Sequence, residues 1–315
     1  MTRYAVPVVW LICVTAPSAA AEAPEEAPLI PPDAVVEVVS TGGYRFTEGP
    51  ALAPDGSIYF SDIPNNAIHR YDPATGKTTL FTDDSGGANG LMFMDGHLYA
   101  CAGKRRTVDI YPAVRSDDGQ WESIRPEIHH SFDSSNGRFN SPNDIVFNGR
   151  EAFMTDPRYG KRDDLEKPGE FVYSLDSADD LRSFAINTVA EDLVKPNGIG
   201  ISPDRETLYI ADNGDKKIFA YKIHTFARIG DRRLLHDLSD LGGPDGMTVD
   251  HAGRLYVAIF GKGILILSPD GERLGFLETG PQTTNCVFGA DGRTLYVTAE
   301  KALKRVVLNT GAPTE

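Results

Sequence analysis

The chain has 315 residues, of which 31 are Lys or Arg and 45 are Asp or Glu, so its formal net charge at pH 7 is −14. A surface this acidic repels phosphate backbones and anionic lipid headgroups, and the longest run of positive charge is a triplet, residues 104–106. We therefore expect neither a nucleic-acid partner nor electrostatic docking to a membrane.

The first residues, 1–21, have the pattern of a secretory signal peptide. A single Arg3 precedes an apolar run from Ala5 to Val14, and three alanines at positions 19–21 follow. Such a run is too short to span a bilayer. We therefore expect an exported protein, periplasmic or secreted, without a membrane segment after cleavage; an N-terminal membrane anchor is the alternative.

The rest of the chain predicts a spacer followed by one all-β domain. Residues 22–33 are rich in Pro and Glu, which is typical of a disordered spacer. From residue 34 to residue 310, runs such as SIYFSDI and TTLFTDD alternate with the period of a half-buried strand. Helical periodicity is absent from this region, so we predict a single domain of strands.

Six short turn-and-strand units recur along this domain. They read PDGSIYF, MDGHLYA, NGREAFM, PDRETLY, HAGRLYV and ADGRTLY. Their turn positions (Gly56, Gly96, Gly149, Arg205, Gly253 and Gly292) are separated by 40, 53, 56, 48 and 39 residues. Such periods are typical of one propeller blade each, so the predicted fold is a six-bladed β-propeller of four-stranded antiparallel blades.

The ends of the domain predict how this propeller closes. The strand-like run AVVEVV, residues 34–39, precedes the first unit, whereas the last unit has about three strand candidates. The N-terminal strand should therefore complete the last blade, which removes open sheet edges. Residues 115–139 interrupt the repeat, and we expect a long loop or a lengthened hairpin at the entrance of the channel. A similar insertion, residues 159–169, is expected to form part of the rim.

After removal of residues 1–21, the chain retains two cysteines, Cys101 and Cys286. An exported compartment permits a disulfide between them. Both lie in apolar, strand-like sequence, so buried free thiols are the preferred interpretation and a disulfide is the alternative.

An acidic or amide residue accompanies each unit at nearly the same offset. These residues are Glu48, Asn89, Asn143, Asn197, Asp245 and Asn285. Because the inner strands of a propeller line its channel, equivalent positions should converge in a ring of oxygen donors at one mouth. Hard oxygen ligands suit Ca²⁺, Mg²⁺ or Mn²⁺, and such a site also accepts Zn²⁺. The alternative is that these residues merely tolerate turn geometry, but six in register favour a metal site.

The motifs TEGPALAPDGSIYFSDI, FNSPNDIV, TDPRYG, KPNGIGISPDRETLYIADN and GGPDGMTVD together resemble the regucalcin (senescence marker protein) and gluconolactonase family. The resemblance covers about residues 35–307 and is strongest to the bacterial gluconolactonase branch. It implies a six-bladed propeller with one divalent metal, Ca²⁺ being the expected ion. The implied ligands are Glu48, Asn197 and Asp245, with Asn143 as a further ligand or substrate contact.

The resemblance also implies substrate contacts beside the metal. Asn89 matches the segment that borders the family's pocket. The regucalcin branch has an Arg two residues before the Asn that corresponds to Asn143, whereas this chain has Ser141 there. Arg138 is the nearest arginine and is therefore the candidate to orient the substrate.

The resemblance implies a metal-dependent hydrolase of sugar lactones, which we expect to be a monomer. A metal ion would polarise the lactone carbonyl, and Asp245 would assist the attack of water as general base. Two alternatives stay open: hydrolysis of phosphotriesters or other esters at the same metal site, and a noncatalytic propeller that binds a ligand. A further recurrence, Asp62, Asp156 and Asp212, predicts structural carboxylates that accept from backbone N–H groups at turns.

Overall fold

The computed structural model describes residues 27–128, 130–133, 137–177, 184–225 and 228–310. The predicted signal peptide lies outside these ranges. The described residues form strands, turns and loops, and they include no helix that could cross a membrane.

Six four-stranded antiparallel sheets follow one another along the chain and form the six blades. Blade 1 contains β2 (Thr47–Leu52), β3 (Ile58–Asp62), β4 (Ala67–Asp72) and β5 (Lys77–Thr82). Blade 2 contains β6 (Ala88–Met94), β7 (His97–Ala102), β8 (Thr107–Tyr111) and β11 (His130–Phe132). Blade 3 contains β12 (Ile145–Asn148), β13 (Glu151–Asp156), β14 (Phe171–Ser177) and β15 (Phe184–Ala190).

Blade 4 contains β16 (Pro196–Ile201), β17 (Thr207–Asp212), β18 (Lys217–His224) and β19 (Arg228–Asp237). Blade 5 contains β20 (Pro244–Val249), β21 (Leu255–Ile259), β22 (Gly263–Leu267) and β23 (Arg273–Glu278). Blade 6 contains β24 (Thr283–Phe288), β25 (Thr294–Ala299) and β26 (Ala302–Val307), with β1 (Glu37–Ser40) as its outer strand. The predicted fold is therefore confirmed, including closure of the last blade by the N-terminal strand.

The insertion at residues 115–139 contains a hairpin, which is one of its two expected structures. Within residues 115–139, the strand β10 (Trp121–Ile124) pairs with β9 (Ala113–Arg115) in a two-stranded hairpin beside blade 2. Trp121 closes this hairpin onto the blade, since its indole N–H donates to the backbone O of Gly96 at 2.9 Å.

The hydrophobic core is divided among the interfaces between blades. Middle strands are buried on both faces, so each contributes alternate residues to the cluster on either side. The closing interface joins Ile58 and Phe60 of blade 1 to Tyr296 and Leu303 of blade 6. The ring of blades is thus held together by apolar packing around its whole circumference.

The segment before β1 contacts the propeller. The side chains of Leu29 and Ile30 pack against the core between blades 5 and 6, and Asn309 binds back to the backbone O atoms of Pro28 and Leu29 at 2.9 Å each. Part of the segment assigned to a spacer, from residue 27 onward, is therefore attached to the blades. The two cysteines, Cys101 and Cys286, are buried free thiols.

Candidate functional site

The predicted ring residues lie where the inner strands begin, and the strand pairing is irregular there. Five inner strands, β2, β6, β16, β20 and β24, have a register shift at or next to the ring residue. In blade 3, β12 begins at Ile145, and Asn143 instead binds Thr155 through its backbone N–H at 2.9 Å. Such bulges redirect side chains out of the normal alternation of a strand.

Glycine follows four of the six ring residues because adjacent inner strands approach very closely. An ideal Cβ on Gly198 would lie 2.2 Å from the backbone O of Asp245, and one on Gly49 would lie 2.0 Å from the backbone O of Asn89. These distances leave no room for a side chain. The recurring EGP, NGL, PNG and PDG motifs therefore reflect contact between neighbouring blades around the channel.

Three second-strand carboxylates fix the loops that precede ring residues. Asp156 accepts from the backbone N–H groups of residues 140 and 141 at 2.7 Å each, just before Asn143. Asp212 accepts from residues 194 and 195 at 2.8 Å each, just before Asn197, and Asp62 accepts from residues 45 and 46, just before Glu48. The predicted structural role of these three carboxylates is confirmed.

The ring concentrates negative charge in a largely dry place. Glu48, Asn143 and Asn197 are 4%, 4% and 3% exposed, and Asp245 is partly exposed. Burial, with the charges of Asp245 and Asp144 in addition, raises the pKa of Glu48 well above its ordinary value. Burial and then the charge of Asp144 raise the pKa of Asp245 to about 8. The acids of blades 1, 3 and 5 are therefore close enough to repel one another.

Asp144 is a site residue that the sequence analysis did not single out. Its carboxylate accepts from the Asn285 Nδ2 at 3.1 and 3.3 Å, although these residues belong to opposite blades and are 141 positions apart. Burial raises the pKa of Asp144 to about 7, and the bond from Asn285 acts in the opposite direction. The sequence did contain a signal, because PND has an aspartate where four of the other five ring motifs have glycine.

The donor set fits a hard divalent cation. Asn197 Oδ1 is buried and has no hydrogen-bond partner in the described structure, although buried carbonyl oxygens are normally satisfied. Together with the carboxylates of Glu48 and Asp245 it forms an all-oxygen set with excess negative charge, which a cation such as Ca²⁺ would relieve. Among the described residues, no group of three or more His, Cys, Asp or Glu side chains could hold a metal ion, so amide oxygens would be needed.

The other predicted contacts have different surroundings. Asn89 is the ring residue of blade 2, and its backbone O accepts from the Ser61 hydroxyl at 2.8 Å. Arg138 is directed to Glu166, with Nε donating to Oε1 at 2.6 Å, and its side chain is 53% exposed. A substrate contact by Arg138 would have to compete with that ion pair, so its proposed role stays a prediction.

The charges of the ring predict that the metal-free protein loses stability as pH rises. Folded-state pKa values near 7 and 8 for Asp144 and Asp245 exceed the ordinary value of 3.8, so the folded state holds protons that the unfolded state has released. The free energy of unfolding should therefore fall from about pH 4 to about pH 8 and then level off. Thermal unfolding in chelator at pH 5, 6, 7 and 8 should show a falling Tm.

A variant identifies the source of this pH dependence. Asp144→Asn should reduce the slope without removing it, because Asp245 and Asp156 contribute with the same sign: burial raises their pKa values to about 8 and about 7. A Tm that is constant or rises over this range in the wild-type protein would contradict the assignment.

The candidate site lies in the part of the chain that matches a known protein family. The model of the SMP-30/Gluconolactonase/LRE-like region matches residues 46–301. A gluconolactonase of Zymomonas mobilis is 30% identical over 306 residues, which cover 86% of this chain and 80% of that protein. The pentonolactonase XacC of Haloferax volcanii is 30% identical over 272 residues, covering 84% of each.

A solved structure agrees with these sequence matches. A gluconolactonase from Xanthomonas campestris superposes with a TM-score of 0.74 at 26% identity, covering 90% of this chain and 91% of that one. The matched region contains the six inner strands and every predicted ring residue.

Proposed function

The chain belongs to the SMP-30/gluconolactonase/LRE-like family, and we propose that it is a metal-dependent hydrolase of sugar lactones. The observation that supports this proposal is that the Asp245 carboxylate acts on Glu48 and faces the side chain of Asn197, whose Oδ1 is buried without a hydrogen-bond partner among the described residues. The two relatives at 30% identity are named as a gluconolactonase and a pentonolactonase. The shared chemistry is attack of water on a cyclic ester.

A divalent cation, when bound, would supply Lewis-acid polarisation of the lactone carbonyl and stabilise the developing oxyanion. We propose that Glu48, Asn197 and Asp245 hold it, with Asn143 as a further ligand or a substrate contact. All four belong to inner-strand starts that hydrogen bonds and interblade contacts fix in place. A pre-organised set of this kind does not need to rearrange during the reaction.

Asp245 is the proposed general base. It accepts a proton from water as the water oxygen bonds to the carbonyl carbon, and it returns this proton to the ring oxygen as the carbon–oxygen bond of the lactone breaks. Asp245 is partly exposed, so water can reach it. A nearby cation would lower the pKa of Asp245, and the negative charges of Glu48 and Asp144 oppose that change. The open-chain hydroxy acid is the product.

The direct test is the initial rate of glucono-1,5-lactone hydrolysis by the purified protein, corrected for the spontaneous rate in the same buffer. We expect activity to be lost after chelation and restored by Ca²⁺, Mg²⁺, Mn²⁺ or Zn²⁺. A pentonolactone assayed in parallel would show which of the two lactones the protein hydrolyses faster. Full activity in chelator would contradict the metal requirement, and metal binding without hydrolysis of either lactone would contradict the proposed substrate class.

A further inference from the structure

One rim segment, residues 157–170, reaches from blade 3 to the ring residue of blade 4. It joins β13 to β14 and contains Tyr159, whose hydroxyl accepts from the Asn197 Nδ2 at 2.6 Å. Tyr159 is 43% exposed, whereas Asn197 is 3% exposed. A partly exposed aromatic side chain therefore makes a short polar contact with a buried amide of the candidate site.

The position of Tyr159 is determined by its neighbour Arg158. The Arg158 guanidinium donates to the backbone O of Asn140 at 2.8 Å and to the backbone O of Lys161 at 2.7 Å, and its side chain also pairs with Asp164. These bonds attach the segment to the loop that precedes Asn143. The segment is thus fastened to the wall of the channel on the blade 3 side.

The ring of Tyr159 is held on the blade 4 side as well. The Lys195 ammonium lies 4.9 Å from the ring centroid, at a distance typical of a cation–π contact. Lys195 itself is fixed because its backbone N–H donates to Asp212 at 2.8 Å. The phenol therefore contacts blade 4 through both Asn197 and Lys195.

The contact has a consequence for the amide of Asn197. The nitrogen and oxygen ends of an asparagine amide have nearly the same shape, so the partners of the two ends decide their orientation. The nitrogen end donates to Tyr159 and also faces the Asp245 carboxylate, whereas the oxygen end is buried and has no hydrogen-bond partner among the described residues. The oxygen is the end that a cation requires.

We infer that Tyr159 is a positioning residue, which holds the Asn197 amide so that its oxygen is available to the cation. The inference rests on the metal site of the proposed function, but it does not depend on which lactone is hydrolysed. The phenol oxygen can hold the amide in this orientation because it accepts from the amide N–H. Its own proton stays free for another acceptor. Phenylalanine at this position would retain the ring and its contact with Lys195 but not the orienting bond.

The test is calorimetric titration of the purified full chain with Ca²⁺ alone, after chelation and dialysis, which needs no turnover. Loss of one hydrogen bond corresponds to a fold-change of about 3 to 10 in the Ca²⁺ Kd, so Tyr159→Phe should weaken binding by that factor. Tyr221→Phe is the matched control, because the Tyr221 hydroxyl is buried in blade 4 and has no hydrogen-bond partner among the residues that the structure describes. Its removal should leave the Kd unchanged.

A double-mutant cycle separates positioning from a general structural effect. In an Asn197→Asp background both ends of the side chain are oxygens, so orientation no longer matters. Tyr159→Phe should then cause no further weakening. An unchanged Kd in the Tyr159→Phe single variant, or equal weakening in both backgrounds, would overturn the inference.

The calorimetric result also distinguishes this inference from the proposed function. If the wild-type protein binds Ca²⁺ and the cycle behaves as expected, the inference holds even when no lactone is hydrolysed. If the wild-type protein binds no divalent cation, the inference and the metal site are both wrong.

Discussion

Asp245→Asn is expected to abolish binding of a divalent cation and to lower kcat/KM for the lactone by about 10³-fold or more, because it removes a charged ligand and the general base together. The fold should be intact, since the amide keeps the size of the side chain it replaces. Metal titration and initial rates on the same preparation would measure both effects.

The same variant should not be destabilised in the absence of metal. Burial and the neighbouring charge of Asp144 oppose the ionised form of Asp245, so a neutral side chain relieves repulsion. In chelator at pH 8 the variant should unfold at a Tm equal to or above that of the wild-type protein. Added metal should raise the Tm of the wild-type protein alone, because a ligand that binds the folded state stabilises it.

Asp270→Asn provides the control in the same blade. Asp270 is exposed in the turn between β22 and β23, so its neutralisation should change neither metal affinity nor rate. Wild-type metal affinity in Asp245→Asn would show that Asp245 is not a ligand.

The fold could be predicted because local signals agreed at each level. Turn residues marked the hairpins, alternation marked the strands, and the repeat of both marked the blades. The incomplete last unit even indicated the closure, since β1 could pair with no other blade without leaving an open edge. Each of these inferences uses residues that are near one another in the chain or repeat with a regular period.

The parts of the site that the sequence did not predict depend on contacts between segments that are far apart in the chain. Asp144 matters because blade 3 faces blade 6 across the channel, where Asn285 donates to it. Tyr159 matters because an insertion in blade 3 bends over blade 4. Asn285 shared the ring pattern, but its amide is used by Asp144 and by the Cys286 N–H at 2.8 Å. The position of a residue in the repeat therefore predicted where polar groups converge. It did not predict which of these groups remain free of other hydrogen bonds and can bind a cation or substrate.

Gly198→Ala is expected to damage stability and the site together. The new Cβ would lie 2.2 Å from the backbone O of Asp245 and 2.9 Å from the Cα of Gly246. These are backbone atoms that cannot rotate away, so blades 4 and 5 must separate. Overpacking of this severity costs about 3 kcal/mol. Because Asn197 and Asp245 would both move, kcat/KM should fall by about 10²-fold.

Gly200→Ala on the same strand isolates this cause. Neither Gly198 nor Gly200 has a positive φ, so backbone strain does not distinguish the two positions. The nearest atom to a Cβ on Gly200 is the side-chain Cγ2 of Val249 at 3.1 Å, which can yield by a few tenths of an ångström. We expect its stability to stay within about 1 kcal/mol of wild type, with metal affinity retained. Thermal unfolding and Ca²⁺ titration of the two variants would distinguish the explanations. Equal losses of stability and affinity in both variants would mean that inner-strand glycines serve flexibility. Losses confined to Gly198→Ala would mean that close contact between blades aligns the ligands.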